Sequence, residues 1–372
     1  MDDNQSTAQQ FIPIAVSLLT GFLGAGKTTV LNGLLQDQNM SNTALIINEF
    51  GDVGIDHLLV ETADESVVEL SNGCLCCTIR GDLVDTLSRL LSRNPRPDRI
   101  LIETTGLADP APVLHAIMGH PGLSENLRLD GVITVVDAVN GMATLDDHEE
   151  AVKQVAVADR IIISKTDLED DIEKVTSRIV RLNPHARILS SKGYQPNAND
   201  LLNCGLFDPT TKTIDIAQWL HSSNQGLDHT HQHNHDDGHH HHDVNRHDSR
   251  IRAFTLKSDK AVSALALSTF IDLLQSAHGP NLLRVKGVIK LVEDPKRPVV
   301  LHGVQQIFHP PATLPDWPDE DQSTRMVFIT KDMSADFVTK LFNALVGQSA
   351  IDTPDNQALV DNPLAAPGFT SR

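Results

Sequence analysis

The chain has 372 residues, 40% of them hydrophobic, with 49 acidic against 30 basic side chains and a formal charge of -19. That length and apolar content predict two folded domains with cores of their own, and the acidic excess, with no dense Lys/Arg run, argues against a nucleic-acid partner. The N-terminus MDDNQSTAQQ is acidic and polar, and no apolar run approaches the roughly 20 residues that cross a bilayer, so a cytoplasmic protein without membrane contact is expected.

Residues 1–12 read as a disordered lead-in, and the first element follows at once. Residues 14–19 form a short apolar run of strand length, next comes TGFLGAGKTT, and then an amphipathic helical pattern through Val30, Leu31, Leu34 and Leu35. Gly21, four intervening residues, Gly26, Lys27 and Thr28 meet the P-loop spacing. In such a loop Gly21, Gly24, Ala25 and Gly26 let backbone N–H groups converge on phosphate oxygens, with Thr29 just behind. Lys27 is expected to reach the β- and γ-phosphates and the Thr28 hydroxyl to bind Mg²⁺.

The next strand, 43–47, ends in NEFGDVGID, a polar loop with Glu49, Asp52 and Asp56 where a nucleotide-sensing switch is expected. NGCLCCTIR then places three of the four cysteines of the chain, Cys74, Cys76 and Cys77, within four positions. A disulfide framework is disfavoured in a reducing compartment, and adjacent cysteines pair only with strain. A buried, inert cluster is the plain alternative. Asn-Gly before the run and Thr-Ile-Arg-Gly-Asp after it predict a turn into a helix, where thiolates suit a borderline metal such as zinc. Metal binding is the leading reading.

A strand over 99–102 delivers Glu103, followed by Thr104, Thr105 and Gly106. An acidic residue there can hold Mg²⁺, and the glycine lets the backbone turn toward a γ-phosphate. No glutamine follows Gly106 in the obvious place, so the residue orienting the attacking water is not legible. Residues 131–136 and 160–163 supply two more strands, and the fold class expected is α/β, a doubly wound, mainly parallel sheet. The last strand ends in Ser164-Lys165-Thr166-Asp167. A carboxylate at Asp167 would accept two N–H bonds from a guanine edge and reject adenine, so GTP is the expected nucleotide. Ser164 keeps one hydroxyl where the commoner motif has an asparagine amide.

Together SLLTGFLGAGKTT, NEFGDVGID, NGCLCCTIRGDL, ILIETTGLADP, VITVVDA and ADRIIISKTDL resemble the blocks of the CobW-type P-loop GTPases, the zinc chaperones and cobalamin-synthesis-associated proteins related to nickel GTPases of urease and hydrogenase maturation. IRAFTLKSDKAVSALALSTFIDLL, LLRVKGVIKLVEDPKRPVVLHGVQQIF and TRMVFITKDM are similar to that family's C-terminal domain. The resemblance implies a GTP-hydrolysing metallochaperone, with Lys27, Thr28 and Glu103 serving catalysis. It implies GTP, Mg²⁺ and Zn²⁺ as cofactors and a client metalloprotein as partner. A homo-oligomer remains open. Three thiolates do not close a tetrahedron, so Asp52, Glu49 or water is expected to complete the zinc shell. A metal-buffering protein with nucleotide-regulated docking, or a cobalt or nickel insertion GTPase, is the alternative.

The GTPase domain is expected to span 13–222. A His-rich linker follows at 223–249, whose segment DHTHQHNHDDGHHHHDVNRH interleaves imidazoles with aspartates. It lacks the apolar surface to fold alone. His231, His233, His235, His239, His240, His241 and His242 read as a metal-buffering arm, against a merely solvated tether. A smaller α+β domain is expected over 250–347, with strands at 251–256, 282–292, 299–301, 304–308 and 325–330 and helices at 261–277 and 334–346. Lys286 and Lys290 are placed on the outward face of their strand. Trp317, in a Pro-rich loop, reads as a packing plug over the sheet or a partner anchor. His57, His115, His120 and Cys204 are expected in ordinary surface or core positions, and 348–372 as a loose tail.

Overall fold

The computed structural model describes residues 13–48, 67–70, 78–169, 171–191, 197–204 and 250–346. Expectations for the N-terminal lead-in, Glu49, Asp52, Asp56, His57, the three clustered cysteines, the His-rich arm and the tail lie outside these residues.

The first domain runs β1 (Ile14–Gly21), α1 (Lys27–Leu35), β2 (Thr43–Asn48), β3 (Val67–Leu70), α2 (Thr78–Leu91), β4 (Arg99–Glu103), α3 (Ala111–Gly119) and α4 (Pro121–Ser124). It continues with β5 (Leu127–Asp137), α5 (Gly141–Asp147), α6 (Glu149–Ala156), β6 (Arg160–Ser164), α7 (Glu173–Leu182), β7 (Arg187–Ser190) and α8 (Ala198–Leu201). Seven strands pair in parallel in the order β3-β2-β4-β1-β5-β6-β7. The expected doubly wound sheet is therefore present.

Its strands are apolar on both sides because both faces are covered, as parallel sheets require. Val16, Leu18, Ile100 and Ile102 pack with Leu83 and Leu87 of α2 and Leu114 and Ile117 of α3. Leu19, Leu45, Leu101 and Ile162 face the other way, onto Val30, Leu31 and Leu34 of α1. Each of these fully buried side chains contributes about 1.5–3 kcal/mol relative to exposure.

Two strands, β3 and β7, were not foreseen; at four residues each they are too short for a periodicity to register. β5 begins at Leu127, not at 131, because Asp130, which reads as a strand breaker, is buried and neutralised by Arg99 at 2.6 Å.

The second domain comprises β8 (Ile251–Ser258), α9 (Ala264–His278), β9 (Leu282–Ile289), β10 (Val299–Val304), β11 (Ile307–Phe308), β12 (Ala312–Thr313), β13 (Thr324–Lys331) and α10 (Ala335–Leu345). Strands β11-β10-β9-β13-β8 form an antiparallel sheet, with β12 paired to β10. The break expected after Leu301 falls instead at Gln305, whose positive φ of 51° makes the turn from β10 into β11. Val285, Ile289, Leu301, Met326 and Phe328 pack under α9 and α10 through Phe270, Leu274, Val338 and Phe342.

The opposite sheet face is covered as well. Val288, Val300 and Val327 lie under Trp317, whose indole N–H donates to the Pro295 carbonyl at 3.0 Å. Trp317 is the packing plug. Leu283 and Ile329 join Ile179 and Leu182 of α7 in one cluster, so the sheet is seated on the first domain. Here the placement of Lys286 in solvent is overturned. Its strand face is the one expected, but the first domain buries it, and it pairs with buried Asp159 beside Arg284, which bonds the same carboxylate at 2.6 Å. Burial opposes ionisation of Asp159, yet Arg284 and Lys286 outweigh it and hold the carboxyl well below its ordinary range. Burial, with Arg284 nearby, keeps the His302 imidazole in the same seam well below its usual value. His115 is ordinary core structure, bonded through Nε2 to the Val304 carbonyl at 3.1 Å. His120 is exposed and Cys204 is buried, its thiol pushed up by burial.

Candidate functional site

The site forms at the C-terminal ends of β1, β4, β5 and β6, where the sheet order reverses about β1 and a crevice opens. Gly26 enters α1 with φ 93°, a left-handed conformation that favours glycine. The helix starts at Lys27, so Lys27, Thr28 and Thr29 form its first turn, where N–H groups outside the intrahelical ladder favour an anion. The Lys27 ammonium donates to the Gly21 carbonyl at 3.0 Å, folding back over the loop.

Neighbouring strands brace that loop. The Ser164 hydroxyl, at the end of β6, donates to the Ala25 carbonyl at 2.6 Å. A serine in place of the commoner asparagine is thus used inward, on the loop backbone. Lys165 follows with φ 54° and reaches the Asp137 carboxylate at 2.6 Å. Burial opposes ionisation of Asp137, but Lys165 and two backbone N–H groups lower its pKa overall. Asp167 is exposed, leaving its carboxylate accessible to a ligand.

Strand β4 carries Glu103 to the crevice in register with Leu19 of β1, and Glu103 is buried. The Thr104 hydroxyl donates to Thr20 at 2.8 Å and its backbone N–H to the Leu19 carbonyl at 3.0 Å, so this strand end is tied to the loop's base. Gly106 lies so close to the loop that an added Cβ would sit 2.6 Å from the Leu23 nitrogen. A hydroxyl at Thr28 and a carboxylate at Glu103 are hard oxygen donors, a set that fits Mg²⁺ better than a soft ion.

A cavity of about 170 Å³ adjoins the loop, lined among others by Phe22, Gly24, Asp137, Asn140, Gln154 and Lys165. Asp137 and Gln154 were not singled out from the sequence. Asp137 had a local signal, an acidic residue at the end of an apolar strand. Gln154 had none, since a glutamine in an amphipathic helix reads as surface. Among the described residues no group of three or more His, Cys, Asp or Glu side chains could hold a metal ion. The helix expected after the cysteines is present, beginning at Thr78, immediately after Cys77.

Comparison with known proteins agrees with this geometry. The family model described as CobW/HypB/UreG, nucleotide-binding domain, matches residues 15–190, and the cobalamin synthesis protein CobW C-terminal domain matches 251–346. The zinc chaperone YjiA of Escherichia coli (strain K12) is 32% identical over 337 residues, covering 90% of this chain and 99% of that protein. Zinc-regulated GTPase metalloprotein activator 1 of Schizosaccharomyces pombe is 32% identical over 243 residues, 63% of this chain and 56% of that protein. The crystal structure of Zn(II)-bound YjiA GTPase from E. coli aligns at a TM-score of 0.63 and 27% identity, over 90% of this chain and 99% of that one. A P-loop braced by Ser164, an acidic strand end at Glu103 and a second sheet seated behind them thus accompany matches along nearly the whole chain, and the protein belongs to the CobW family of nucleotide-binding proteins.

Proposed function

We propose that this chain is a GTP-hydrolysing metallochaperone that binds Zn²⁺ at Cys74, Cys76 and Cys77 and passes it to a client metalloprotein. The observation that carries the reading is the junction at Thr78. The thiol run ends at Cys77, directly before α2, and lies in the chain between β3 and α2, ahead of β4, whose end carries Glu103 to the crevice. A metal site there would sit one helix before the strand that delivers Glu103 in the chain, a position suited to coupling with the nucleotide. The names of the relatives above support zinc as cargo and a metalloprotein as recipient.

In this reading the first turn of α1 and the backbone of Gly21, Gly24, Ala25 and Gly26 receive the phosphates. Lys27 leaves the Gly21 carbonyl for the β- and γ-phosphates, and Thr29 closes the turn. Asp167 accepts from the guanine edge, and Lys165 is held beside it by Asp137. Thr28 and Glu103 would hold Mg²⁺, which when bound neutralises phosphate charge. Gly106 turns its N–H toward the γ-phosphate. Thiolates completed by Asp52, Glu49 or water form an open shell that can release its ion, and GTP hydrolysis loosens it. The histidines at 231, 233, 235 and 239–242 serve as a metal-buffering arm.

The test is Zn²⁺ affinity by chelator competition, with 228–247 deleted, in GDP and in a non-hydrolysable GTP analogue, alongside phosphate release from GTP. A tenfold difference, about 1.4 kcal/mol of coupling, supports nucleotide-controlled delivery. Equal affinities with intact hydrolysis favour a metal buffer, and Cys76→Ala leaving affinity unchanged would remove the thiolates from the site.

A further inference from the structure

Gln154 sits in the second turn of α6 and is 1% exposed. Its side-chain amide donates to the Gly106 carbonyl at 3.2 Å and to the Ala108 carbonyl at 3.1 Å, so both N–H groups are spent on the segment that follows Glu103. Its Oε1 is buried and makes no hydrogen bond among the described residues, an arrangement that has an energetic cost. Reversing the amide would satisfy neither carbonyl. The two donors are what the site retains.

The helix that carries Gln154 is a fixed reference. The backbone carbonyl of Gln154 accepts from the Thr134 hydroxyl of β5 at 2.8 Å. Lys153 bridges Asp109 at 3.2 Å, just beyond the held segment. Burial would lower the Lys153 pKa, but Asp109 and Glu149 keep it raised. At the other end Glu149 pairs with Lys331 of the second domain at 2.5 Å, and Arg284 donates to the Val157 carbonyl just past the helix. Gly106 meanwhile touches the P-loop at Leu23.

A carbonyl held from behind fixes its peptide plane; for Gly106 that plane carries the Leu107 N–H, so the grip fixes how the chain leaves Gly106 and with it the path of the segment beside the P-loop. We propose that Gln154 is a positioning residue for GTP hydrolysis: by gripping the Gly106 and Ala108 carbonyls it sets the segment that meets the γ-phosphate. This rests on the GTPase reading above. It also places the grip on a helix that the second domain anchors, so the seating of that domain bears on the γ-phosphate segment.

The full-length chain is assayed as wild type, Gln154→Met and Gln154→Glu, with kcat and KM for GTP and Kd for fluorescent GDP and for a non-hydrolysable GTP analogue. Methionine matches the length and donates nothing. Its kcat is expected to fall at least tenfold and its preference for the GTP analogue over GDP to weaken about tenfold, with GDP affinity within twofold. Glutamate presents only acceptors when ionised and regains one donor when protonated, so its kcat relative to wild type should rise from pH 8 to pH 6. The glutamate pH profile keeps the idea testable if the methionine protein fails to fold. Unchanged kcat and nucleotide preference in both variants overturn the proposal, as does a parallel loss of GDP affinity, which marks a packing role. A wild-type chain that releases no phosphate instead refutes hydrolysis, while the nucleotide-preference ratio still judges Gln154.

Discussion

Replacing Asp159 with alanine tests the seam between the two domains. The Asp159 side chain is 1% exposed and faces Arg284 at 4% and Lys286 at 10%. Its second oxygen accepts the Val132 N–H at 2.9 Å. Removing the carboxylate leaves two cations without their shared counter-charge and one buried N–H without its acceptor. Breaking a buried pair from one side costs about 3–5 kcal/mol, because the remaining charge is uncompensated. With a urea m-value of roughly 2–3 kcal/mol/M, the transition midpoint falls by about 1–2.5 M. The assay is urea unfolding by fluorescence and ellipticity with Trp219→Phe as background, so that Trp317 alone reports on the second sheet. A companion carrying Asp159→Leu, Arg284→Met and Lys286→Met removes every charge of the triad and should be less destabilised than the single variant. A cost under about 1 kcal/mol for Asp159→Ala, or a companion no better than the single variant, would refute this account of the seam.

Trp317→Ala strips the cover from Val288, Val300 and Val327 and the hydrogen bond to Pro295; a loss of about 3–5 kcal/mol in chemical denaturation is expected. Gly106→Ala brings a Cβ to 2.6 Å from the Leu23 nitrogen, so phosphate release from GTP should drop at least tenfold with the fold intact by circular dichroism. Asp321, bonded to Lys257 and near Arg325, is brought down to about 2 despite the opposing effect of burial. Folding lowers this carboxyl, so its contribution is complete above about pH 4 and lost as pH falls toward 2; melting temperatures at pH 5 and pH 3 should differ less in Asp321→Asn than in wild type. The metal uptake proposed for the His-rich arm would require neutral imidazoles and should decline as pH drops through about 6.5. Constant stoichiometry by equilibrium dialysis from pH 7.5 to 5.5 would contradict buffering by these histidines.

Much of this protein is legible locally. Ile14 to Thr29 is contiguous, so a strand, a loop and a helix start are written in sixteen residues, and the apolar runs ending at Glu103 and Ser164 declare both the strands and the groups they deliver. The alternation of β9 likewise puts Lys286 on the correct face. What covers that face was not legible, because Asp159 lies 127 residues away in sequence and burial is decided by which surfaces dock. The same holds for Ser164, whose hydroxyl turns to Ala25, and for Asp137, which holds Lys165. Gln154 is the extreme case: nothing around it in the chain distinguishes it from a surface glutamine, and only the packing of α6 against the Gly106 segment brings its two donors to those carbonyls. Short-range pattern determined the longer elements and the residues at their ends, but not the four-residue strands β3 and β7; the tertiary structure decided which of those ends hold one another, since hydrogen bonds and ion pairs depend on distances that sequence separation does not encode.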